Sequence, residues 1–351
     1  MAVKKISVEE FLERATHAKI FDVRSPGEFA HASIPGAVSL PLFSDAERKS
    51  VGTLYKQEGR ERAIREGLDF FGPKMRMMVE DVQKETGTLN ENASATTVLV
   101  HCWRGGMRSS AVAWLLDLYG FNVFTLSGGY KAFRNYVLQA FAKEQALTLL
   151  GGYTGSGKTG VLHEMQRRGE AVIDLEGLAS HKGSAFGGIG MPAQPSQEMF
   201  ENKLAVALVA LKGRPYFMED ESQRIGVLQI PHLLWKTMRT KNVFFLDIPF
   251  EERLKHILSD YGTCHKERLQ VSIERIQKRL GPLDSKVAIQ HLLEGNLEAC
   301  FTILLKYYDK LYNKALQNRE NPALLLNKIP CSTVDSVLNT EKLLLCHSAT
   351  R

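Results

Sequence analysis

Cysteines are few and scattered in this chain of 351 residues: there are five, and no two of them form a C-x-x-C pair. A disulfide framework or a zinc site needs clustered cysteines, so the pattern argues against both and favours a reducing compartment. No apolar run approaches the length of about 18 residues that a membrane helix needs. The first 15 residues also lack the apolar core of a secretion signal. We therefore expect a cytoplasmic protein that is neither exported nor embedded in a membrane.

The length of the chain predicts the number of domains, and the net charge bears on the kind of partner. A chain of this length is predicted to form about two domains, each with its own core. We place these domains at residues 1–144 and 145–351. The formal net charge of +6 permits an RNA partner, but solvated helix faces explain the basic excess at least as well. The charge alone therefore identifies no partner.

The stretch around which the first domain is organised is TVLVHCWRGGMRSSAVAWLLDLY, residues 97–119. Its first apolar run predicts a buried parallel strand, and the apolar spacing after the glycines predicts a helix. Cys102 then lies in a loop at the start of a helix, where backbone amides can hold an anion. Arg104 and Arg108 add two cations, which together with the helix dipole are expected to lower the pKa of Cys102. We predict that Cys102 is a nucleophile with Arg104 and Arg108 beside it; an inert core cysteine is the alternative.

The spacing from Cys102 to Arg108 is shared by two kinds of enzyme. Tyrosine phosphatases use such a loop to hold phosphate, and rhodanese-like sulfurtransferases use a similar loop to carry a persulfide. The upstream segment IFDVRSPGEFAHASIPGAVSLP, residues 20–41, resembles the rhodanese family in its D-V-R-x-x-x-E-F and I-P-G-A elements. The resemblance implies a rhodanese-like domain in which Asp22 and Arg24 brace the active loop. Residues 45–84, charged and helical in pattern, form an insertion that an ordinary single rhodanese domain lacks.

A second pattern of strand, loop and helix begins at residue 146. The sequence GGYTGSGKT, residues 151–159, contains G-x-x-x-x-G-K-[ST] between the predicted strand and helix that this motif requires. Its glycines let backbone amides surround a phosphate, its lysine reaches the outer oxygens, and its threonine can hold Mg²⁺. The predicted phosphate-binding residues are Gly152, Gly155, Ser156, Gly157, Lys158 and Thr159, with Thr159 also as the ligand of a Mg²⁺ ion.

After this motif, short apolar strands alternate with helical segments, which is typical of a parallel α/β sheet. Beyond residue 250 the pattern is almost entirely helical. We predict an α/β protein: a rhodanese-like parallel-sheet domain followed by a P-loop NTPase-like α/β domain with a helix-rich C-terminal part. Five carboxylates at or near strand ends could assist the metal, and the sequence does not choose among them: Asp174, Glu176, Glu219, Asp220 and Asp247.

Two further segments of the second domain are rich in glycine and polar side chains. They are HKGSAFGGIG, residues 181–190, and EDESQRIG, residues 219–226. Irregular surface loops would have the same composition, so binding and a merely structural role are equally compatible with it. The candidate substrate-binding residues are His181, Lys182, Ser184, Glu221, Ser222 and Arg224.

The motifs in combination resemble the bacterial tRNA 2-selenouridine synthase family: CWRGGMRS, VGTLYKQEGR, GGYTGSGKT, HKGSAFG and EDESQRIG. This resemblance covers nearly the whole chain. It implies a selenotransferase that replaces the 2-thio sulfur of a wobble uridine by selenium from selenophosphate, in the tRNAs for Lys, Glu and Gln. It also implies geranyltransferase activity, which makes an S-geranyl intermediate from geranyl diphosphate. In that family the rhodanese cysteine, here Cys102, is the selenium carrier.

The same resemblance implies tRNA and a supplier of selenophosphate as partners. Selenophosphate and geranyl diphosphate are then substrates. We expect no tightly bound cofactor, and Thr159 can hold a Mg²⁺ ion. Two other interpretations stay open. One is a tyrosine phosphatase-like enzyme fused to a kinase-like module, and the other is a non-catalytic sulfur-relay scaffold that uses the P-loop as a nucleotide switch.

Overall fold

The computed structural model describes residues 3–88, 96–319 and 322–349. The chain divides into two compact units, Met1–Ala140 and Phe141–Arg351; the domain limits at residues 144 and 145 stay a prediction. Each unit contains a parallel sheet with helices, which confirms the predicted fold class. No helix in the described ranges combines the length and apolar character needed to cross a membrane.

The first unit is built on a sheet of five strands: β1 (Lys4–Ile6), β2 (Lys19–Asp22), β3 (Ala37–Ser39), β4 (Thr97–His101) and β5 (Asn122–Leu126). All neighbours are parallel, and the strand order is β1-β5-β4-β2-β3. Its helices are α1 (Val8–Arg14), α2 (Pro26–His31), α3 (Asp45–Gln57), α4 (Arg60–Phe71), α5 (Met75–Thr86), α6 (Met107–Tyr119) and α7 (Gly129–Ala140). A 3₁₀ turn, Gly72–Lys74, joins α4 to α5. Strand β4 is central, so its carboxyl end lies among those of its neighbours.

The core of this unit explains why β4 is so apolar. Val98 and Val100 are fully buried, as expected for a parallel strand covered on both faces. Burying a side chain of this kind contributes about 1.5–3 kcal/mol to folding. The predicted helical insertion, α3 to α5, is confirmed, and it packs Phe71, Met78 and Val82 into the same core as β4. The insertion is therefore part of the folded unit.

The second unit has a five-stranded parallel sheet and a small antiparallel hairpin. Its strands are β6 (Leu147–Gly152), β7 (Val172–Ile173), β8 (Tyr216–Glu219), β9 (Arg224–Ile225), β10 (Leu228–Gln229), β11 (Val243–Asp247) and β12 (Leu326–Pro330). The sheet order is β12-β11-β6-β8-β7, and β9 pairs with β10. Its helices are α8 (Lys158–Arg167), α9 (Leu175–Ala179), α10 (Gln197–Ala210), α11 (His232–Arg239), α12 (Phe250–Tyr261), α13 (Lys266–Leu280), α14 (Pro282–Glu294), α15 (Leu297–Gln317), α16 (Pro322–Leu325) and α17 (Ser336–Ala349).

The region beyond residue 250 is helix-rich as predicted, but it also supplies a strand that the sequence pattern did not reveal. Strand β12 joins the edge of the sheet by parallel pairing with β11, over the register Val243 with Leu326 to Asp247 with Pro330. Helices α12 to α15 form a separate apolar cluster that includes Leu269, Ile273 and Leu304. The C-terminal part thus completes the sheet and adds a helical core.

Candidate active sites

The first candidate site is the loop of residues 102–106, which connects β4 to α6. Cys102 follows directly on His101, the last residue of β4, and it is only 3% exposed. Its Sγ lies 3.2 Å from the hydroxyl oxygen of Ser109 in the first turn of α6. Backbone N–H groups of Arg104, Gly106 and Ser109 also point at the sulfur. The predicted amide cradle is therefore present around Cys102.

This cradle determines the acidity of the thiol. Burial of Cys102 raises its pKa, but the hydrogen bonds from the Ser109 hydroxyl and from the loop amides outweigh that effect and leave the pKa below its ordinary value. The direction agrees with the sequence prediction, but the leading cause is different. The largest effects that lower the pKa of Cys102 are the hydrogen bonds from Ser109 and the loop amides, which stabilise the thiolate. A lowered pKa makes the thiolate, the nucleophilic form, available at lower pH.

Arg108 is turned toward an acidic partner from another part of the chain. Its guanidinium donates to Glu28 Oε2 at 2.9 Å, and Arg48 lies 3.8 Å from the same oxygen. Burial raises the pKa of Glu28, yet the hydrogen bond and charge of Arg108 outweigh it and lower the pKa overall. Arg104 is exposed and has no acidic partner within the described ranges. The predicted pair of arginines thus splits into a paired Arg108 and a solvent-facing Arg104.

Close backbone packing fixes the shape of the cysteine loop. Gly129 has φ +60, and a Cβ at this position would lie 2.4 Å from the carbonyl oxygen of Cys102. The same carbonyl accepts a 2.8 Å hydrogen bond from Tyr130 N, and Lys131 N donates to Trp103 O at 3.0 Å. The start of α7 therefore holds the loop through backbone contacts that leave no room for a side chain at Gly129.

A buried ion pair supports the base of this loop. Arg24 donates to both carboxylate oxygens of Asp22 and to Ala32 O at 2.7 Å, and its guanidinium lies 3.8 Å from the ring centroid of Tyr130. Burial lowers the pKa of the adjacent His101 to about 4, so this ring is neutral near pH 7. Asp22 and Arg24 accordingly occupy the bracing position that the resemblance implied.

The second candidate site is the turn from β6 into α8, which contains the predicted phosphate-binding loop. Gly155 and Gly157 have φ +81 and +69, a conformation that glycine adopts without strain. Lys158 Nζ donates to Gly152 O at 3.1 Å, so the ammonium group lies across the loop. The buried hydroxyl of Ser156 has no hydrogen-bond partner in the described part of the chain. The arrangement is that of a loop shaped around a phosphate.

The structure distinguishes among the five carboxylates near the strand ends. Thr159 Oγ1 donates to Glu176 Oε2 at 2.8 Å, which places Glu176 at the metal side of the loop. Glu221, which is not one of the five, lies near Glu176: burial raises the pKa of Glu221, and the Glu176 carboxylate raises it further. The remaining four carboxylates contact other groups: Leu175 N for Glu219, Gly177 N for Asp174, Arg319 for Asp220 and Lys328 for Asp247.

These groups fit a magnesium ion of the kind found beside bound phosphates. Such an ion takes oxygen ligands, usually one or two protein groups completed by substrate phosphate and water. The Thr159 hydroxyl and the Glu176 carboxylate meet this requirement. In the described ranges no group of three or more His, Cys, Asp or Glu could hold a metal by itself. The predicted role of Thr159 therefore depends on a bound phosphate.

Side chains from distant helices support the phosphate-binding loop. Arg253 of α12 donates to Thr154 O at 3.1 Å and forms two hydrogen bonds with Asp309 of α15, at 2.9 and 2.8 Å. Tyr312 of α15 accepts a 3.4 Å hydrogen bond from Gly152 N and donates to Asp220 at 3.2 Å. These residues were not predicted from the sequence, because nothing in the local pattern of α12 or α15 marks them.

The two glycine-rich segments meet in the structure. A Cβ at Gly226 would lie 2.8 Å from His181 Cδ2, and one at Gly183 would lie 2.9 Å from a Glu221 carboxylate oxygen. Burial lowers the pKa of His181, and the charge of Arg275 lowers it further. His181 and Glu221 thus lie at the junction of the two segments, with Glu221 also close to Glu176.

Of the other four candidate binding residues, three have partners within their own segments, and Lys182 faces α12. Lys182 faces Asp260 at 3.4 Å, and the Ser184 hydroxyl accepts a hydrogen bond from Phe186 N at 3.2 Å. Ser222 donates to Arg224 O at 2.7 Å, and Arg224 donates to Gly226 O at 3.0 Å. Their role as substrate-binding residues stays a prediction.

Comparison with known proteins assigns both units. Residues 145–329 match the family model described as the tRNA 2-selenouridine synthase AAA domain, and residues 7–136 match the rhodanese-like domain. The tRNA 2-selenouridine synthase of Nitrosomonas europaea is 35% identical over 290 residues, covering 80% of this chain and 72% of the relative. That of Shewanella denitrificans is 34% identical over 340 residues, covering 87% and 90%. The chain therefore belongs to the tRNA 2-selenouridine synthase family, with a rhodanese-like domain followed by a P-loop domain.

Proposed function

We propose that this protein is a tRNA 2-selenouridine synthase that works in two steps, S-geranylation of a wobble 2-thiouridine and then replacement of the sulfur by selenium. The observation that carries the proposal is the buried Cys102 thiol, with its lowered pKa, in its amide cradle, within a chain that also has a phosphate-binding loop. A low-pKa thiolate suits chemistry on a selenium donor. The phosphate-binding loop suits a diphosphate substrate.

In the first step the thiocarbonyl sulfur of the uridine attacks C1 of geranyl diphosphate. The new C–S bond forms as the C–O bond breaks, pyrophosphate leaves with the electron pair, and N3 of the base releases its proton to solvent. Lys158 and the amides of residues 155–159 bind the leaving group and stabilise its developing charge. A Mg²⁺ ion held by Thr159 and Glu176 would neutralise further charge on the diphosphate.

A cavity beside the phosphate-binding loop supports a prenyl substrate. Its volume is about 350 Å³, and its walls include Tyr153 from the loop itself with Phe245, Leu316 and Leu326. That volume lies at the lower end of the range for small-molecule sites. These apolar walls suit a chain of two isoprene units, while the polar side chains of Asn313, Gln317 and Lys328 line the rest of the pocket. We place the geranyl group in this cavity, next to its diphosphate.

In the second step selenium must leave phosphorus with its electron pair. Attack of the Cys102 thiolate on phosphorus achieves this: an S–P bond forms, the P–Se bond breaks, and selenide leaves. Selenide attacks C2 of the base, and the C–S bond breaks to release geranyl thiolate. Water then cleaves the phosphocysteine. In the carrier role implied by the resemblance, Cys102 attacks selenium instead: an S–Se bond forms, and the electron pair of the P–Se bond stays on phosphorus as phosphite. An external thiol must then reduce the S–Se bond, forming a disulfide with Cys102 and releasing selenide, and a second thiol restores Cys102. Phosphorus NMR of the products separates the two roles.

We expect Arg108→Lys to slow selenium transfer by roughly tenfold or more at limiting selenophosphate. Lysine keeps the charge but loses the planar fork that can hold Glu28 with one N–H group and a donor oxygen with another. Geranylation should not change. The matched control is Arg48→Lys, which alters the more distant contact to Glu28 at 3.8 Å. An unchanged rate in Arg108→Lys would show that this side chain does not serve the selenium donor.

The proposal as a whole is tested by reconstitution. Purified protein is mixed with 2-thiouridine tRNA, geranyl diphosphate and selenophosphate, and the nucleosides are identified by mass spectrometry. We expect S-geranyl-2-thiouridine and then 2-selenouridine. Bulk tRNA from a strain without the gene should lack 2-selenouridine. Phosphate release from phosphotyrosine peptides without any new nucleoside would favour the phosphatase interpretation, and no reaction with either substrate would favour the scaffold.

A further inference from the structure

Trp103, the residue directly after the nucleophile, is an exposed indole in a rigid setting. It is 37% exposed, although its neighbour Cys102 is buried. Its carbonyl is tied to Lys131 N at 3.0 Å, and its ring lies 5.7 Å from the ring of the buried Tyr130, at an interplanar angle of 35°. The backbone and one side of the indole are thus held in place, while the rest of the ring reaches solvent.

The support beneath Trp103 continues into the core. Tyr130 is fully buried, and the Arg24 guanidinium lies 3.8 Å from its ring centroid. The ring of His101 is stacked on that of Tyr130, with 6.3 Å between the two centroids. Trp103 is therefore the outer member of an aromatic series that begins at the base of the active loop. A ring fixed in this way loses little conformational freedom when a flat ligand stacks on it.

The charges around Trp103 favour a nucleic-acid ligand. Arg104 follows Trp103 in the chain, and the backbone N–H of Lys131 donates a hydrogen bond to the Trp103 carbonyl. The side chains of Arg104 and Lys131 are both exposed. In the described ranges neither has an acidic partner. Proteins that bind single-stranded RNA combine exposed aromatic rings, which stack on unpaired bases, with cations that meet the phosphates. The surface next to Cys102 has both elements.

We propose that the Trp103 indole stacks on the wobble uridine base of the tRNA and so holds C2 of that base near Cys102. This assignment rests on the proposed function, and it names the part of the substrate that the cysteine loop recognises. Arg104 and Lys131 contact the phosphates that flank the unstacked base. A base in the anticodon loop is unpaired, so stacking on an indole does not first require the opening of a duplex.

The kinetic test uses tRNA that already carries S-geranyl-2-thiouridine, so that only the second step is measured. We expect Trp103→Ala to raise KM for this tRNA about tenfold, with a smaller change in kcat, and Trp103→Phe to restore most of the affinity. Trp114→Ala is the matched control, because Trp114 is also exposed but lies within α6, about two turns after the helix begins. Equal KM values for Trp103→Ala and the unaltered protein would overturn the assignment. If the unaltered protein converts no tRNA, the proposed function itself fails.

Stacking on the base can also be measured by fluorescence, with the Trp103 indole kept in place. The chain has three tryptophans, so Trp114→Phe with Trp235→Phe leaves Trp103 as the reporter. An anticodon stem-loop with 2-thiouridine should quench its fluorescence, and the same stem-loop with an abasic wobble position should not. Equal quenching by both RNAs would contradict stacking on the base. Quenching only by the S-geranyl form would assign the indole to the prenyl chain and overturn the proposal.

Discussion

Replacing Cys102 by serine should reduce selenium transfer by roughly a thousandfold or more, while S-geranylation of the tRNA continues. Serine is near-isosteric, and its hydroxyl can keep a hydrogen bond to Ser109, whose oxygen lies 3.2 Å from the sulfur. The fold should therefore persist. The alcohol has a far higher pKa than the thiol, so it cannot supply the anion that the amide cradle stabilises. The measurement is the ratio of S-geranyl-2-thiouridine to 2-selenouridine in treated tRNA.

Cys264→Ser provides the control, because Cys264 is a partly exposed cysteine of the other unit. It should leave both steps unchanged. Alkylation by iodoacetamide adds a second readout: because the pKa of Cys102 is lowered, its thiolate should react at a pH where an ordinary thiol is still protonated. Selenium transfer that survives in purified Cys102→Ser would exclude both roles considered for this thiol, attack on phosphorus and carriage of selenium.

Lys158→Ala should slow geranylation by roughly a hundredfold or more, with no nucleotide present in either assay. The ammonium group lies across the phosphate-binding loop, 3.1 Å from Gly152 O, so it can meet a diphosphate bound there. Geranyl diphosphate and selenophosphate are both already activated, and the proposed cycle therefore needs no ATP or GTP. The rate of S-geranyl-2-thiouridine formation is the quantity to measure.

Two comparisons make this result specific. Selenium transfer to tRNA that is already geranylated should be normal in Lys158→Ala, because that step belongs to the Cys102 loop. Lys255→Ala removes an exposed lysine of the same unit that is paired with Glu252 at 2.7 Å, and it should have a much smaller effect on geranylation. Strict dependence on ATP or GTP, or normal geranylation by Lys158→Ala, would show that the loop serves a nucleotide.

Short-range patterns in the sequence were enough to predict the two reactive loops and the fold class. Residues 97–119 and 146–168 each contain an apolar strand, a glycine-bearing turn and a helix, so short-range spacing dictates the local backbone. The same spacing places Cys102 in the loop before α6 and Lys158 at the first residue of α8. Local sequence also predicted the helical insertion, since its helical pattern spans contiguous residues. Each of these predictions depends on neighbours within a few turns.

The groups that act on these loops come from distant parts of the chain, and the folded structure was needed to identify them. Glu28, 80 residues before Arg108, occupies that guanidinium, and Tyr312 reaches Gly152 N across 160 residues. Local patterns carry no information about such pairs. The acidity of Cys102 shows the same limit: the sequence located two nearby arginines, but the folded loop aims amides and the Ser109 hydroxyl at the sulfur. Strand β12 was missed because its pairing with β11 is a long-range contact, and pairing between distant segments is what makes such a short stretch a strand.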